Sequence, residues 1–126
     1  MMTKKDNPQK NSTSVRGIGI DIESIERFRK RPLRSAAHFY RKIFTAAELA
    51  YCRTYKDPYP HLAARFCAKE AAVKALGMAP DFKKIEVRKN AQTGAPFLFV
   101  KGKNLSSAYI SLSHTRDYAC ALVVIF

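Results

Sequence analysis

Residues 61–77, HLAARFCAKEAAVKALG, include three charged residues whose types and spacing suit the binding of anions and metal ions. Glu70 and Lys74 are four residues apart, a spacing that brings side chains together on one face of a helix. Lys69 falls in the middle of the apolar stripe of this predicted helix. A carboxylate and two ammonium groups at the edge of a cleft would bind an anion and a metal ion. The alternative is a core helix whose long charged side chains reach solvent past the stripe.

Asp21 and His114 are two further candidate site residues, and both lie next to predicted strands. The strand predicted for residues 15–22 contains two interior glycines, which indicate the close approach of another backbone or a ligand. Asp21 ends this strand, where it would either project into a site or cap the next helix. Asp21 and Glu70, completed by water molecules, would suit Mg²⁺. His114 lies in a predicted hairpin turn, where it would bind phosphate, transfer a proton or simply be exposed.

The periodicity along the chain predicts an α+β fold with a mainly antiparallel sheet packed by helices, in a single domain of residues 15–126. Residues 1–14 are predicted to form a disordered tail. Helices are predicted from Ile22 to Phe28, at 34–44, after a capping box at 45–48, and at 61–77. Strands are predicted at 15–22, 85–87, 97–100, 109–113 and 118–126. The last strand is almost entirely apolar, so it is predicted to be central and covered on both faces.

The composition indicates a globular chain with a polyanionic partner. The chain has 126 residues, of which 47% are hydrophobic, and its 23 Lys and Arg against 10 Asp and Glu give a formal charge of +13. Three cysteines without a C-x-x-C pair argue against a disulfide framework or a zinc site and favour free thiols. The sequence has no apolar run of membrane-spanning length and no signal peptide, so we expect a cytoplasmic protein.

Much of the excess positive charge lies between residues 27 and 42, where no acidic residue occurs. Such a run would attract nucleic acid, anionic lipid, phosphorylated molecules or an acidic protein. Its alternative is a solvated basic face with no partner. The residues at the start of this run are Arg27, Arg29, Lys30, Arg31 and Arg34.

Three segments resemble the holo-acyl-carrier-protein synthase family of 4′-phosphopantetheinyl transferases, the short trimeric type. They are GIGIDIESIERF at 17–28, ARFCAKEAAVKALG at 64–77 and YISLSHTRDYACALVVI at 109–125. The resemblance extends over residues 15–125. It depends on the pairing of G-I-G-x-D with F-x-x-K-E-A-x-x-K-A in this order and spacing, because either motif alone is unspecific.

The resemblance implies transfer of phosphopantetheine from coenzyme A to a serine of apo acyl carrier protein, with release of adenosine 3′,5′-bisphosphate. It implies that Asp21 and Glu70 bind Mg²⁺, that Glu70 is the candidate base for the serine, and that Lys74 stabilises the diphosphate. It places coenzyme contacts at Arg65, Lys69, Lys74 and His114. An in-line phosphoryl displacement needs positioning and charge neutralisation, which these residue types supply.

The resemblance also implies a homotrimer whose active sites lie between neighbouring subunits, and no membrane or nucleic-acid partner. Acyl carrier proteins are acidic, so the basic run is a plausible docking surface for them. The connection at 77–84 is shorter than is typical of the family.

Two alternatives remain open from the residues alone. A nucleic-acid-binding module would explain the charge but not the combination of Asp21, Glu70 and Lys74, and no aromatic RNA-binding signature is present. An Mg²⁺-dependent nuclease would use the same acidic residues and lysine.

Overall fold

The computed structural model describes residues 14–126. Its longest helix packs against the strands of the main sheet and forms the centre of the fold. The first elements are β1 (Gly17–Ser24), α1 (Ile25–Arg29), α2 (Ala37–Ile43), α3 (Ala46–Arg53) and the long helix α4 (Tyr59–Leu76). A 3₁₀ turn (Phe82–Lys84) then leads into β2 (Ile85–Lys89), β3 (Pro96–Val100), β4 (Lys103–Asn104), β5 (Ala108–His114) and β6 (Tyr118–Ile125). The predicted tail lies outside the described residues except for Ser14.

Helix α4 begins and ends where the sequence provides the appropriate signals. Pro60 stands in its first turn, where a missing N–H leaves no helical bond unmade. Gly77 ends the helix in the left-handed conformation, with φ at 63°, and its N–H donates to the Val73 carbonyl. The prediction of a helix at 61–77 is therefore confirmed, with a start two residues earlier at Tyr59.

Strand β1 packs directly against the backbone of α4 because of its two glycines. A Cβ atom on Gly17 would lie 2.1 Å from the Ala75 carbonyl oxygen, and one on Gly19 would lie 1.9 Å from that of Ala71. Both distances are far below van der Waals contact, so only glycine permits this approach. The predicted close approach is confirmed, and the neighbour is a helix backbone.

The predicted end of the first strand and start of the first helix are wrong. Asp21 was expected to end the strand, but β1 continues to Ser24, which pairs with Tyr118 of β6. Helix α1 begins only at Ile25, and Ile22 belongs to the strand. Because pairing with β6 continues past Asp21, this aspartate is not a helix cap; Ser24 takes the N-cap position.

The sheet that carries the site has the order β1–β6–β5 and is antiparallel throughout. The α+β class and the central position of the last strand are confirmed. The prediction that β6 is covered on both faces is wrong, since only the face toward α4 is buried. The opposite face exposes Ile18, Ile20 and Ile22 at 64–65% and Tyr109 at 65%. Strands β2, β3 and β4 form a second antiparallel sheet.

Within residues 14–126, no helix is long and apolar enough to cross a membrane. Cys52, Cys67 and Cys120 are free thiols, as expected from their number and spacing.

Candidate active site

Strand β1 and helix α4 bring Asp21, Glu70 and Lys74 together. Every second residue of β1 lies on the face toward α4, because successive residues of a strand point to opposite faces. The residues on this face are Gly17, Gly19, Asp21 and Glu23. The Lys74 ammonium donates to the Ile20 carbonyl at 2.9 Å and lies 3.4 Å from Asp21 Oδ1. The glycine-mediated contact thus places a strand carboxylate beside a helix lysine.

Glu70 lies in a negative environment that it shares with the carboxylates of β1. Its pKa is raised first by desolvation, and then by the charges of Asp21 and Glu23. Lys74 and Arg27 oppose this rise. A carboxylate with a raised pKa is a better proton acceptor than an ordinary glutamate.

The two predicted metal ligands, Asp21 and Glu70, are carboxylates, the ligand type that Mg²⁺ prefers. Asp21 Oδ2 is buried and has no hydrogen-bond partner. An orphaned carboxylate oxygen of this kind is costly unless a cation or a water molecule completes it. Among residues 14–126 there is no group of three His, Cys, Asp or Glu that would hold a metal by itself. Magnesium is usually bound by only one or two carboxylates, with waters and substrate phosphates as the other ligands.

Glu23 belongs to this negative cluster and was missed from the sequence. Its side chain is 17% exposed and accepts a 2.9 Å hydrogen bond from Arg27. The available signal was the strand alternation, because a residue two positions after Asp21 must share its face if the strand continues. The prediction that the strand ended at Asp21 concealed this.

The prediction that Lys69 lies at the edge of a cleft is wrong, because the structure places this residue inside the core. Its side chain is fully buried, and its ammonium donates to Glu48 Oε1 at 2.6 Å. It also donates to the carbonyls of Phe82 at 2.9 Å and Ile85 at 2.5 Å. All three N–H groups of the ammonium are therefore used within the chain, and none is left for a coenzyme phosphate.

Glu48 is satisfied equally fully on the other side of this ion pair. Its Oε1 accepts from the Thr45 N–H at 2.9 Å in the predicted capping box, which is confirmed. Its Oε2 accepts from the Val87 N–H at 2.9 Å. The pair therefore joins α3 and α4 to β2 and holds the short connection at 77–84 against the helix.

Arg65 and His114 share a separate cavity of about 280 Å³. Arg65 is 5% exposed, its guanidinium lies 4.0 Å from the centre of the Tyr51 ring, and its Nε has no hydrogen-bond partner. Lys89 and His61 also line this cavity, and no carboxylate does within the described chain. A buried guanidinium without a carboxylate partner is suited to bind an anion.

The two groups of site residues face opposite sides of α4. Arg65 and Lys74 are nine residues apart, which corresponds to a rotation of about 180° around the helix. Asp21, Glu70 and Lys74 accordingly do not line the cavity that contains Arg65 and His114. Within one chain the structure does not unite all the residues that the sequence predicts to contact coenzyme A.

The five predicted docking residues are all exposed on and after α1. Arg27 pairs with Glu23, and Arg29 makes a two-point ion pair with Asp57 at 2.9 and 2.7 Å. The guanidinium of Arg31 stacks 4.1 Å from the centre of the Phe39 ring. Lys30 and Arg34 form no ion pair with residues 14–126, so their charge is the most available to a partner.

The structure thus combines an antiparallel α+β fold with a carboxylate–lysine cluster and a separate basic cavity, features that suit the binding of phosphorylated ligands. A sequence profile of the 4′-phosphopantetheinyl transferase superfamily matches residues 17–123. The chain therefore belongs to the 4′-phosphopantetheinyl transferase superfamily, and the predicted family and enzyme class are confirmed.

The similar proteins include curated enzymes and solved structures. The holo-[acyl-carrier-protein] synthase of Thermodesulfovibrio yellowstonii is 42% identical over 113 residues, which cover 88% of this chain and 98% of the relative. The structure of the Neisseria meningitidis synthase matches with a TM-score of 0.76 at 30% identity, covering 90% of this chain and 99% of that one. The Helicobacter pylori synthase, solved with coenzyme A, matches with a TM-score of 0.74 at 30% identity, covering 86% and 99%.

The buried position of Lys69 leads to a stability prediction. We expect Lys69→Met to lower the free energy of unfolding by about 3–5 kcal/mol, because it leaves the Glu48 carboxylate buried without its partner. The double variant K69M/E48Q should recover only part of this loss, since glutamine carries no charge but can accept only one of the two N–H bonds from Thr45 and Val87. Urea unfolding at fixed protein concentration measures both, with the exposed Lys30→Met as the matched control, which should change stability by about 0.5 kcal/mol or less. Wild-type stability in K69M together with weakened coenzyme A binding would reinstate Lys69 as a coenzyme contact.

Proposed function

We propose that this protein transfers 4′-phosphopantetheine from coenzyme A to a serine of an apo acyl carrier protein, with Mg²⁺ as cofactor and adenosine 3′,5′-bisphosphate as the second product. The observation that carries the proposal is the cluster of Asp21, Glu70 and Lys74, in which Asp21 keeps one buried, unpartnered oxygen. Membership of the superfamily favours this reaction over the two nucleic-acid alternatives.

In the proposed reaction the serine oxygen attacks the phosphorus that carries pantetheine, and the bond from that phosphorus to the adenosine-bearing phosphate breaks. Glu70 accepts the serine proton as the general base of the reaction. Lys74 is half-exposed and would stabilise the departing phosphate as it becomes more negative. Asp21 and Glu70 would hold Mg²⁺, which supplies charge neutralisation to the diphosphate when it is bound.

Arg65 and His114 would bind a phosphate of coenzyme A in the proposed enzyme. The cavity between them contains cationic side chains without a carboxylate in its lining, and the Arg65 Nε has an unused donor. Lys69 is left out of this set, because its ammonium is fully engaged in the core.

We further propose that the protein is a homotrimer with active sites shared between neighbouring subunits. The first support is the exposed apolar face of the β1–β6–β5 sheet, which includes three isoleucines and Tyr109. A contiguous apolar surface of this kind is typical of an interface. The second support is the separation of the Arg65 cavity from the Asp21–Glu70–Lys74 cluster within one chain. A head-to-tail contact in a closed ring would place the cavity of one subunit beside the cluster of the next.

The exposed residues Arg27, Arg29, Lys30, Arg31 and Arg34 would form the docking surface for the acidic carrier protein. Their charges speed the encounter of oppositely charged proteins, and salt weakens this effect. The compartment that agrees with three free cysteines is the cytoplasm, where thiols stay reduced.

The decisive experiment incubates an apo acyl carrier protein with this protein, coenzyme A and Mg²⁺ and measures the intact mass of the carrier. We expect the mass gain of one phosphopantetheine and expect EDTA to prevent it. Asp21→Asn and Glu70→Gln should each lower the rate at least about 100-fold, because each removes a charge used at the reacting phosphates. Glu26→Gln is the matched control, since Glu26 is an exposed glutamate of α1. A folded wild-type protein that modifies none of several carriers would contradict the proposal.

Mixing two inactive variants tests whether sites are shared. We expect Arg65→Ala and Glu70→Gln each to be nearly inactive alone. When equal amounts are unfolded and refolded together, random assembly should restore about one quarter of the wild-type activity, because that fraction of interfaces combines two intact halves. The control is the same procedure applied to each variant alone. No recovery from a mixture that forms mixed oligomers would place Arg65 and Glu70 in one subunit's site.

Charge reversal tests the docking surface. We expect Lys30→Glu/Arg34→Glu to raise KM for the carrier protein about tenfold and to leave KM for coenzyme A within about twofold, because these charges act on encounter with the acidic partner. The effect should shrink at high ionic strength. Reversal of the exposed Lys101 and Lys103 is the matched control. Equal changes in both KM values would argue against docking by this surface.

A further inference from the structure

His61 occupies a position in the Arg65 cavity that the motifs of the sequence do not include. It lies in the first turn of α4, four residues before Arg65 and therefore on the same helix face. Its ring stacks on Tyr55 with centroids 3.5 Å apart, and it meets the ring of His114 edge-on at 5.5 Å. His61 thus lies between Tyr55, on which it stacks, and His114, which it meets edge-on at the cavity.

The charged groups around His61 come from each element that packs against it. Arg65 on α4, Lys89 on β2 and His114 on β5 contribute positive or titratable groups. Asp57, before α4, is a carboxylate that acts on His61, and it is already paired with Arg29. Tyr51 and Tyr55 complete the surroundings, with their phenol oxygens hydrogen-bonded to each other at 2.7 Å.

These surroundings disfavour the protonated imidazole in the absence of an anion. Desolvation lowers the pKa of His61 most, the positive fields of His114, Arg65 and Lys89 lower it further, and Asp57 opposes them. A phosphate that entered the cavity would cancel those fields and present oxygen acceptors. The negative charge of the phosphate would then favour the protonated form of His61.

We propose that His61 is a further coenzyme-binding residue of this enzyme, which takes up one proton from solvent as a phosphate monoester enters the Arg65 cavity. The inference rests on the proposed function, because it takes coenzyme A as the ligand. The neutral imidazole gains a proton at its free nitrogen and donates a charge-assisted hydrogen bond to a phosphate oxygen. Coenzyme A has a single phosphate monoester; its diphosphate bridge has no proton to exchange near neutral pH.

The sign of the linkage follows from the direction of the change. Binding raises the pKa of His61, so coenzyme affinity is highest below the raised value and falls as pH rises through it. Protonation of the monoester itself, with a second pKa of about 6, works in the opposite sense at lower pH. A comparison of variants at each pH separates the two, because the ligand's own titration is common to all of them.

Calorimetric titration tests the inference without any carrier protein. Coenzyme A is titrated into the wild type and His61→Phe in two buffers of different ionisation enthalpy, which gives the protons taken up per site. Phenylalanine keeps the stack on Tyr55 but cannot bind a proton, so a purely structural role would leave the proton count unchanged. We expect H61F to lose most of the proton uptake and to bind coenzyme A about tenfold more weakly. Dephospho-coenzyme A lacks the monoester, so its dissociation constants for the wild type and H61F should differ by no more than about twofold.

His38→Phe is the matched control, because His38 is an exposed histidine of α2 that does not line the cavity. Equal proton uptake in H61F and the wild type would overturn the inference, as would an equal loss of affinity for coenzyme A and its dephospho form. If H61F does not fold, the ring-proton titration of His61 in the wild type replaces it, with inorganic phosphate as the probe. Phosphate should move the midpoint of His61 to higher pH, and an unmoved midpoint would overturn the inference.

The outcomes separate this inference from the proposed function. Proton-linked coenzyme binding without transfer to any carrier would refute the proposed reaction and support the role of His61. Transfer of phosphopantetheine to a carrier, combined with equal proton uptake in H61F and the wild type, would support the proposed reaction and refute the role of His61. A wild-type protein that binds neither coenzyme A nor inorganic phosphate would refute both.

Discussion

The backbone contact between β1 and α4 is the constraint on which the rest of the structure depends. Gly17 and Gly19 leave no room for a Cβ atom beside the carbonyls of Ala75 and Ala71, so strand and helix meet at the closest distance that sterics permit. This contact fixes which face of β1 is inward. Asp21 must then lie against the turn of α4 that carries Glu70 and Lys74, while the three isoleucines must point away. One steric requirement thus sets both the carboxylate cluster and the apolar outer face.

Helix α4 can position the residues of two sites because the buried Lys69–Glu48 ion pair fixes the helix to α3 and β2. Lys69 and Glu48 have their polar atoms satisfied by each other and by backbone groups of the capping box, the 3₁₀ turn and β2. A buried pair without such partners would cost more in desolvation than it returns. With them, the pair acts as a connector that fixes α3, α4 and β2. The site residues on both faces of α4 are therefore carried by a helix that has little freedom to rotate or shift.

The sequence predicted what local signals determine and failed where pairing or burial decides. Gly77, the capping box at Thr45 and the period of α4 are local features, and the structure confirms them. The continuation of β1 beyond Asp21 depends on β6, which lies a hundred residues away, so Glu23 was missed. Lys69 was placed at a cleft because its helix position alone does not show that Glu48 occupies the space beside it. His61 was missed because its partners Tyr55 and His114 come from outside the motif.

The separation of the two charged groups connects stability, assembly and chemistry in the proposed trimer. An isolated subunit would expose the isoleucine face and would carry a basic cavity and a carboxylate cluster on opposite sides of one helix. Burying that face removes apolar surface from water, which favours association. If the same contact brings the cavity of one subunit to the cluster of its neighbour, the coenzyme lies between opposite kinds of residue: cations for its phosphates, and carboxylates for the metal and the serine proton. Because Arg65 and Glu70 face different sides of α4 in every chain, they do not neutralise each other within one subunit, and both stay available to the substrate.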